Sequence, residues 1–310
     1  HQCIAGPIVR YKDICAELEE RRASQFDIAE GINRFTVGLA KKAIIANTCA
    51  ALADTLLVPD GGDFSLLASK SVLSLWVGVL AFTLQIYIDF SAYSDMAIGM
   101  GKMIGIHYTE NFDYPYISTS VSEFWRRWHI TLGSFFRDYL YIPLGGSRCG
   151  KVRTVLNLFV VWALTGLWHG ASWNFVLWGL YFGVILALEK IFLLKFLNKI
   201  PAFFSHFYSL LLIIFGWVIF ECGSLGEIAS YLKAMFSVGV PGWSGETTYV
   251  LANSALLLAV LAVCSTELCG KLGKRMKSGY WRCAGTAALL LLCVLFLAGD
   301  SYNPFLYFRF

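Results

Sequence analysis

Apolar stretches long enough to cross a bilayer recur along this chain, and nothing else in the sequence constrains the fold as strongly. Residues 72–88 form one such run, close to the ~20 residues that a helix needs to span the hydrocarbon core. Residues 155–168, 173–188, 203–220, 250–264 and 284–298 read as further spans. With 57% hydrophobic residues, 15% charged residues and a mean hydropathy of +0.61, the chain is too apolar for a soluble domain, in which about a quarter of residues carry charge. The expected fold class is all-α: a polytopic transmembrane helical bundle. A net charge of +4 is mild, and the basic residues fall in short clusters between apolar runs. That pattern suits membrane topology and argues against nucleic acid as a partner.

The clusters also suggest an orientation. The turns at 190–199 and 271–282 are basic, whereas 221–246 is mainly acidic. By the positive-inside rule both basic turns face the cytoplasm and the acidic loop faces out, an alternation that closes if two spans separate the turns. Residues 28–58 mix Arg34, Lys41, Lys42 and Asp54 with Ala, Ile and Leu, which suits an amphipathic or interfacial helix better than a clean span. The turn residues at 59–63 then punctuate it.

The run from residue 72 continues without a loop through Asp89 and Asp95 to about 106. Carboxylates in such a setting need partners. Asp89 is a candidate catalytic or tunnel acid; alternatively both acids cap or hydrogen-bond a helix junction. Nine cysteines without a C-x-x-C pair give neither a disulfide framework nor a metal site, and they read as small buried hydrophobes. The chain opens on His1 with no charged segment and short apolar core behind it, so no signal peptide is expected. No linker divides residues 1–310, which are expected to form one transmembrane domain that begins partway through a larger protein.

Two histidines stand out. His169 lies inside an apolar run beside Trp168 and Gly170, and His129 follows Trp128. Six of the ten tryptophans, Trp125, Trp128, Trp162, Trp168, Trp173 and Trp178, lie in this same part of the chain. An ionisable group in an apolar span is costly and tends to face a protein interior or a water-filled cavity. A satisfied core histidine is the bland reading of His169. If its segment is helical, Trp162, Thr165, His169 and Trp173 share one face, and Gly166 and Gly170 allow a close approach. A helix starting with Ser122 as its cap and a Glu123–Arg127 pair is expected upstream.

Other site types fit poorly. The chain has no H-E-x-x-H, no G-x-S-x-G and no phosphate-binding G-x-x-x-x-G-K-[ST]. A histidine without a nearby nucleophile suits a general base acting directly on a substrate hydroxyl. Arg126, Arg127, Arg137 and Arg148 could hold donor phosphates, or meet lipid headgroups and structural carboxylates instead.

Trp128-His129, the stretch Arg137 to Gly145, and Leu164 to Asn174 together resemble the membrane-bound O-acyltransferase family, in its bacterial alginate O-acetyltransferase branch. Residues 4–10, 89–95 and 303–310 carry the likeness to both ends of the chain. The resemblance implies helices around a central funnel or tunnel, with His169 as the essential catalytic residue and His129 as the second. It also implies a tunnel shaped by Trp125, Trp128, Trp168, Trp173, Asn174 and Asp89, and further N-terminal spans. No bound cofactor or metal is expected. The donor substrate is an acyl thioester, acetyl-CoA or an acyl carrier, on the cytoplasmic side. The acceptor is an exported polysaccharide such as alginate, with a periplasmic or extracellular modifying partner and an inner-membrane location. D-alanyl transfer to teichoic acid is the related alternative. A transporter or proton relay belongs to a different class, disfavoured because the paired, interrupted half-repeats of many transporters are missing.

Overall fold

A computed structural model describes residues 6–58, 63–275, 279–299 and Phe305. The turn expected at 59–62, residues 4–5 of the first motif and most of the closing 303–310 motif lie outside the described residues. Among the described residues all regular structure is helical, and seven helices are long and apolar enough to cross a membrane.

In chain order, α1 (Tyr11–Glu19) is a short surface helix, followed by α2 (Gln25–Leu56) and α3 (Val72–Met103), the first two membrane-length helices. Two short helices, α4 (Val121–Arg127) and α5 (Ile130–Phe136), precede α6 (Lys151–His169), α7 (Trp173–Leu197) and α8 (Ala202–Glu221). Then come α9 (Leu225–Met235), α10 (Gly245–Cys264), α11 (Leu268–Arg275) and α12 (Gly279–Ala298). Two membrane-length helices, α8 and α10, therefore separate the two basic stretches, of which 190–197 continues α7 as helix rather than forming a turn. Among the described residues, α10 and α12 bury little of their surface against the rest of the chain.

The α2–α3 pair corrects the interfacial reading of residues 28–58. Ser24 caps α2 in a reciprocal box with Asp27, and the helix runs on for 32 residues. Its cations are not aimed at headgroups. Lys42 pairs with Asp89 at 2.8 Å, Lys41 with Asp95 at 2.6 Å, and Arg34 bridges Asp95 and Glu110 at 2.6 Å each. Asp89 and Asp95 are thus mid-helix counter-ions inside α3, not caps at a junction. The backbones are close enough for such pairs because small residues face each other. A Cβ on Gly31 would lie 2.6 Å from the Gly99 carbonyl oxygen, and one on Gly38 2.7 Å from that of Ala92. Close approach at small residues drives helix association where no water is present to be expelled.

Residues 120–142 do not form one helix. Ser120, not Ser122, caps α4 by accepting the Glu123 N–H at 3.1 Å. The chain then breaks at Trp128-His129, and α5 passes into a wider π-helical turn at Arg137–Tyr141. The expected Glu123–Arg127 pair is present at 3.1 Å. The acidic stretch 221–246 is only partly loop, since Ser224 and Glu227 form a capping box that starts α9.

Candidate active site

Three local features bring the two histidines to one place. The first is the break between α4 and α5. His129 adopts a left-handed backbone conformation with φ 44°, uncommon for a residue with a side chain. The bent segment 111–113 holds it there. Ile130 donates its N–H to the Asn111 carbonyl at 2.9 Å, and Asp113 donates to the Arg127 carbonyl at 2.9 Å. The break turns the His129 ring inward, where it is buried against Phe90 and Phe112.

The second feature is the anchoring of α4. Its first-turn N–H groups have no partners within the helix. Glu189, fully buried at the start of a π-helical turn in α7, accepts those of Val121 at 2.8 Å and Ser122 at 2.7 Å. Phe124 and Trp128 then fill the core of the bundle against Tyr116 and Trp217.

The third is the tight crossing of α6 and α7. A Cβ on Gly166 would lie 2.3 Å from the Phe175 carbonyl oxygen, and one on Gly179 2.3 Å from that of Trp162. His169 ends α6, and its ring is enclosed by Trp168, Phe175, Trp178 and Phe220 at centroid distances of 5.0–6.3 Å.

Between these features lies a cavity of about 290 Å³ lined by His129 and His169 together. Trp125, Trp128, Trp162 and Thr165 form much of its wall, and the exposed Arg126 and Arg137 border it. Its walls are thus mostly aromatic and apolar with a few convergent polar groups, the usual make-up of a ligand site. Burial, with His169 nearby, pushes the pKa of His129 from 6.5 down to about 3. The ring is therefore a neutral imidazole at physiological pH.

Other residues singled out in the sequence lie elsewhere. Trp173 is 76% exposed and does not line the cavity, because α6 ends at His169 and the chain turns before α7 begins. The face shared by Trp162, Thr165 and His169 therefore stops short of it. Trp168 lies outside the cavity wall but touches both imidazoles, with centroids 6.2 Å from His129 and 5.0 Å from His169. Asn174 is buried and donates to the Phe220 carbonyl at 3.3 Å. Arg127 is committed to Glu123 and Asp113 at 3.1 and 3.0 Å, which leaves Arg126 and Arg137 as the guanidiniums beside the cavity. Arg137 shares Asp138 with Arg10, tying the opening segment of the chain to the site.

Asn111 and Glu189 escaped the sequence reading. One sits in a polar turn and the other at the end of an apolar run next to Lys190, so both resemble ordinary surface groups. The only available hint for Glu189 was an acid contiguous with a membrane-length stretch.

Fold and site together define a multi-pass α-helical membrane protein with a buried and a half-buried histidine on one aromatic cavity. The sequence model of the membrane-bound O-acyltransferase family matches residues 1–225, and the chain belongs to that family. It is 38% identical over 342 residues to a Pseudomonas putida protein named Probable alginate O-acetylase AlgI, covering 99% of this chain and 66% of that protein. A Helicobacter pylori Peptidoglycan O-acetyltransferase is 33% identical over 338 residues, covering 100% of this chain and 62% of its own length. A Bacillus subtilis Teichoic acid D-alanyltransferase is 26% identical over 199 residues, covering 61% and 48%. The chain thus spans about two thirds of the length of the first two relatives.

Proposed function

We propose that this chain forms the single transmembrane catalytic domain of an O-acetyltransferase of an inner membrane. It moves an acetyl group from a cytoplasmic thioester to a hydroxyl of an exported polysaccharide such as alginate, directly or through a periplasmic modifying partner. The observation that carries this reading is the meeting of His129 and His169 on one aromatic cavity. Similarity to a named alginate O-acetylase and a named peptidoglycan O-acetyltransferase supports the acetyl group and the glycan acceptor.

The chemistry needs few parts. His169 takes the proton of the acceptor hydroxyl as its oxygen attacks the acyl carbonyl. A C–O bond forms, the C–S bond breaks, and the proton passes to the departing thiolate. His129 orients the proton acceptor or carries part of the proton transfer. No covalent enzyme intermediate is required. The indoles of Trp125, Trp128 and Trp162 keep water from hydrolysing the thioester. Arg126 and Arg137 suit the phosphates of a donor such as acetyl-CoA, since guanidinium matches phosphate geometry.

Membranes containing the protein, given acetyl-labelled acetyl-CoA, are expected to pass label to the exported polymer. Consumption of D-alanyl carrier protein with no use of acetyl-CoA would favour the D-alanyl reading instead. Solute transport without thioester consumption would contradict both.

A further inference from the structure

Asn111 is fully buried, lies outside every membrane-length helix, and is the most heavily committed polar side chain near the cavity. Its Oδ1 is 3.2 Å from the backbone N–H of Thr131, 2.8 Å from the Thr131 hydroxyl and 3.0 Å from His129 Nδ1. A backbone N–H can only donate, so the atom facing Thr131 must be the amide oxygen, and the orientation of the carboxamide follows. Its Nδ2 then donates to Ser94 Oγ on α3 at 3.0 Å. The Thr131 hydroxyl gives its proton to Asn111 and accepts the N–H of Ile8 at 3.0 Å, so its direction is fixed as well.

One consequence falls on His129. Nδ1 lies within hydrogen-bond distance of an atom that can only accept, and a neutral imidazole carries one proton. We infer that Asn111 is a positioning residue that fixes His129 in the Nδ1–H tautomer, leaving the lone pair of Nε2 on the ring edge available to the cavity. His129 then acts toward the cavity as a proton acceptor and not as an oxyanion donor. It can receive the N–H of His169 or the hydroxyl of an acceptor, and it has no proton of its own to offer there. The left-handed backbone at His129 serves the same end, since the Ile130 N–H on the Asn111 carbonyl and the His129 ring on its side chain hold one residue from both sides.

This inference rests on the proposed acetyl transfer only for its kinetic arm. The direct test is ¹⁵N NMR of ring-labelled histidine in the membrane-embedded protein, with His129→Gln used to assign the His129 signals among the chain's five histidines. Wild type is expected to show His129 protonated at Nδ1. Asn111→Ala is expected to lose that preference, whereas Asn111→Asp, which keeps the acceptor, retains a proton on Nδ1. His206 Nδ1 faces the Ser118 carbonyl at 3.1 Å and serves as an internal control for folding, because its Nδ1–H signal should persist in every variant. In acetyl-CoA turnover, Asn111→Ala should lower kcat roughly ten- to a hundredfold, up to the lower end of what a positioned acid–base group contributes, with KM for acetyl-CoA held. An Nε2–H tautomer in wild type, or one indifferent to Asn111→Ala while His206 keeps its signal, overturns the inference. The Nδ1–H tautomer in a protein that transfers no acetyl group overturns the functional reading alone.

Discussion

The carboxylate of Glu189 lies 2.8 Å from the backbone nitrogen of Val121 and caps, from a neighbouring helix, the short helix that leads to His129. Because the group is fully buried and also takes the Ser122 N–H and the Tyr208 hydroxyl, removing it strands several donors together. Glu189→Ala should destabilise the protein by about 3 kcal/mol, and Glu189→Gln, which keeps one acceptor without the charge, by about 1–2 kcal/mol. Thermal unfolding in detergent measures both. An alanine variant as stable as wild type would show that the cap does not hold α4.

The Asp95 carboxylate joins Lys41 and Arg34 of α2 to α3. Breaking a fully buried pair costs about 3–5 kcal/mol, but both cations here keep part of their surface exposed, so about 1–3 kcal/mol is expected for Asp95→Asn. The loss reflects a stranded ammonium more than a lost attraction. Adding Lys41→Met to Asp95→Asn should therefore restore stability relative to the single variant. A double variant weaker than Asp95→Asn would contradict that reading.

At the N-terminal surface, His107 bonds Glu17 of α1 at 2.9 Å and faces Asp27 of α2 at 3.4 Å. The hydrogen bond to Glu17 raises its pKa above 6.5. A raised histidine pKa favours the fold fully below the unfolded value and stops doing so as pH climbs through the folded one. The docking of α1 through His107 should therefore loosen as pH rises through that raised value. Hydrogen exchange of α1 amides on the two sides of that transition reads this directly, and His107→Gln should remove the dependence.

Much of this architecture was legible in the sequence. Apolar run lengths located six of the membrane-length helices, and the run through Asp89 and Asp95 to about 103 carries no proline to end the helix, although a junction there stayed open in the sequence. The first span was hidden because Arg34, Lys41 and Lys42 look interfacial until their partners, about fifty to seventy-five residues away in sequence, are brought alongside. His169 stood out as an ionisable group in an apolar run, and His129, Trp125 and Trp128 through the density of tryptophans in that part of the chain. Trp173 misled because a 3.6-residue period carries no notice of where a helix ends. Asn111 gave no signal and Glu189 only its place at the end of an apolar run, since their importance lies in donors that only the folded chain presents to them.

The central claim is that the shared histidine cavity performs acyl transfer, and the most direct measurement is acetyl transfer in membranes by His169→Ala beside His129→Ala and wild type, with protein level and folding checked in each. Loss of transfer by roughly a hundredfold or more in a well-folded His169→Ala protein is the predicted result, as expected for removal of a general base. His129→Ala should then fall by an amount that ranks the two histidines. Full transfer by a well-folded His169→Ala protein would make that residue a packing histidine and contradict the mechanism.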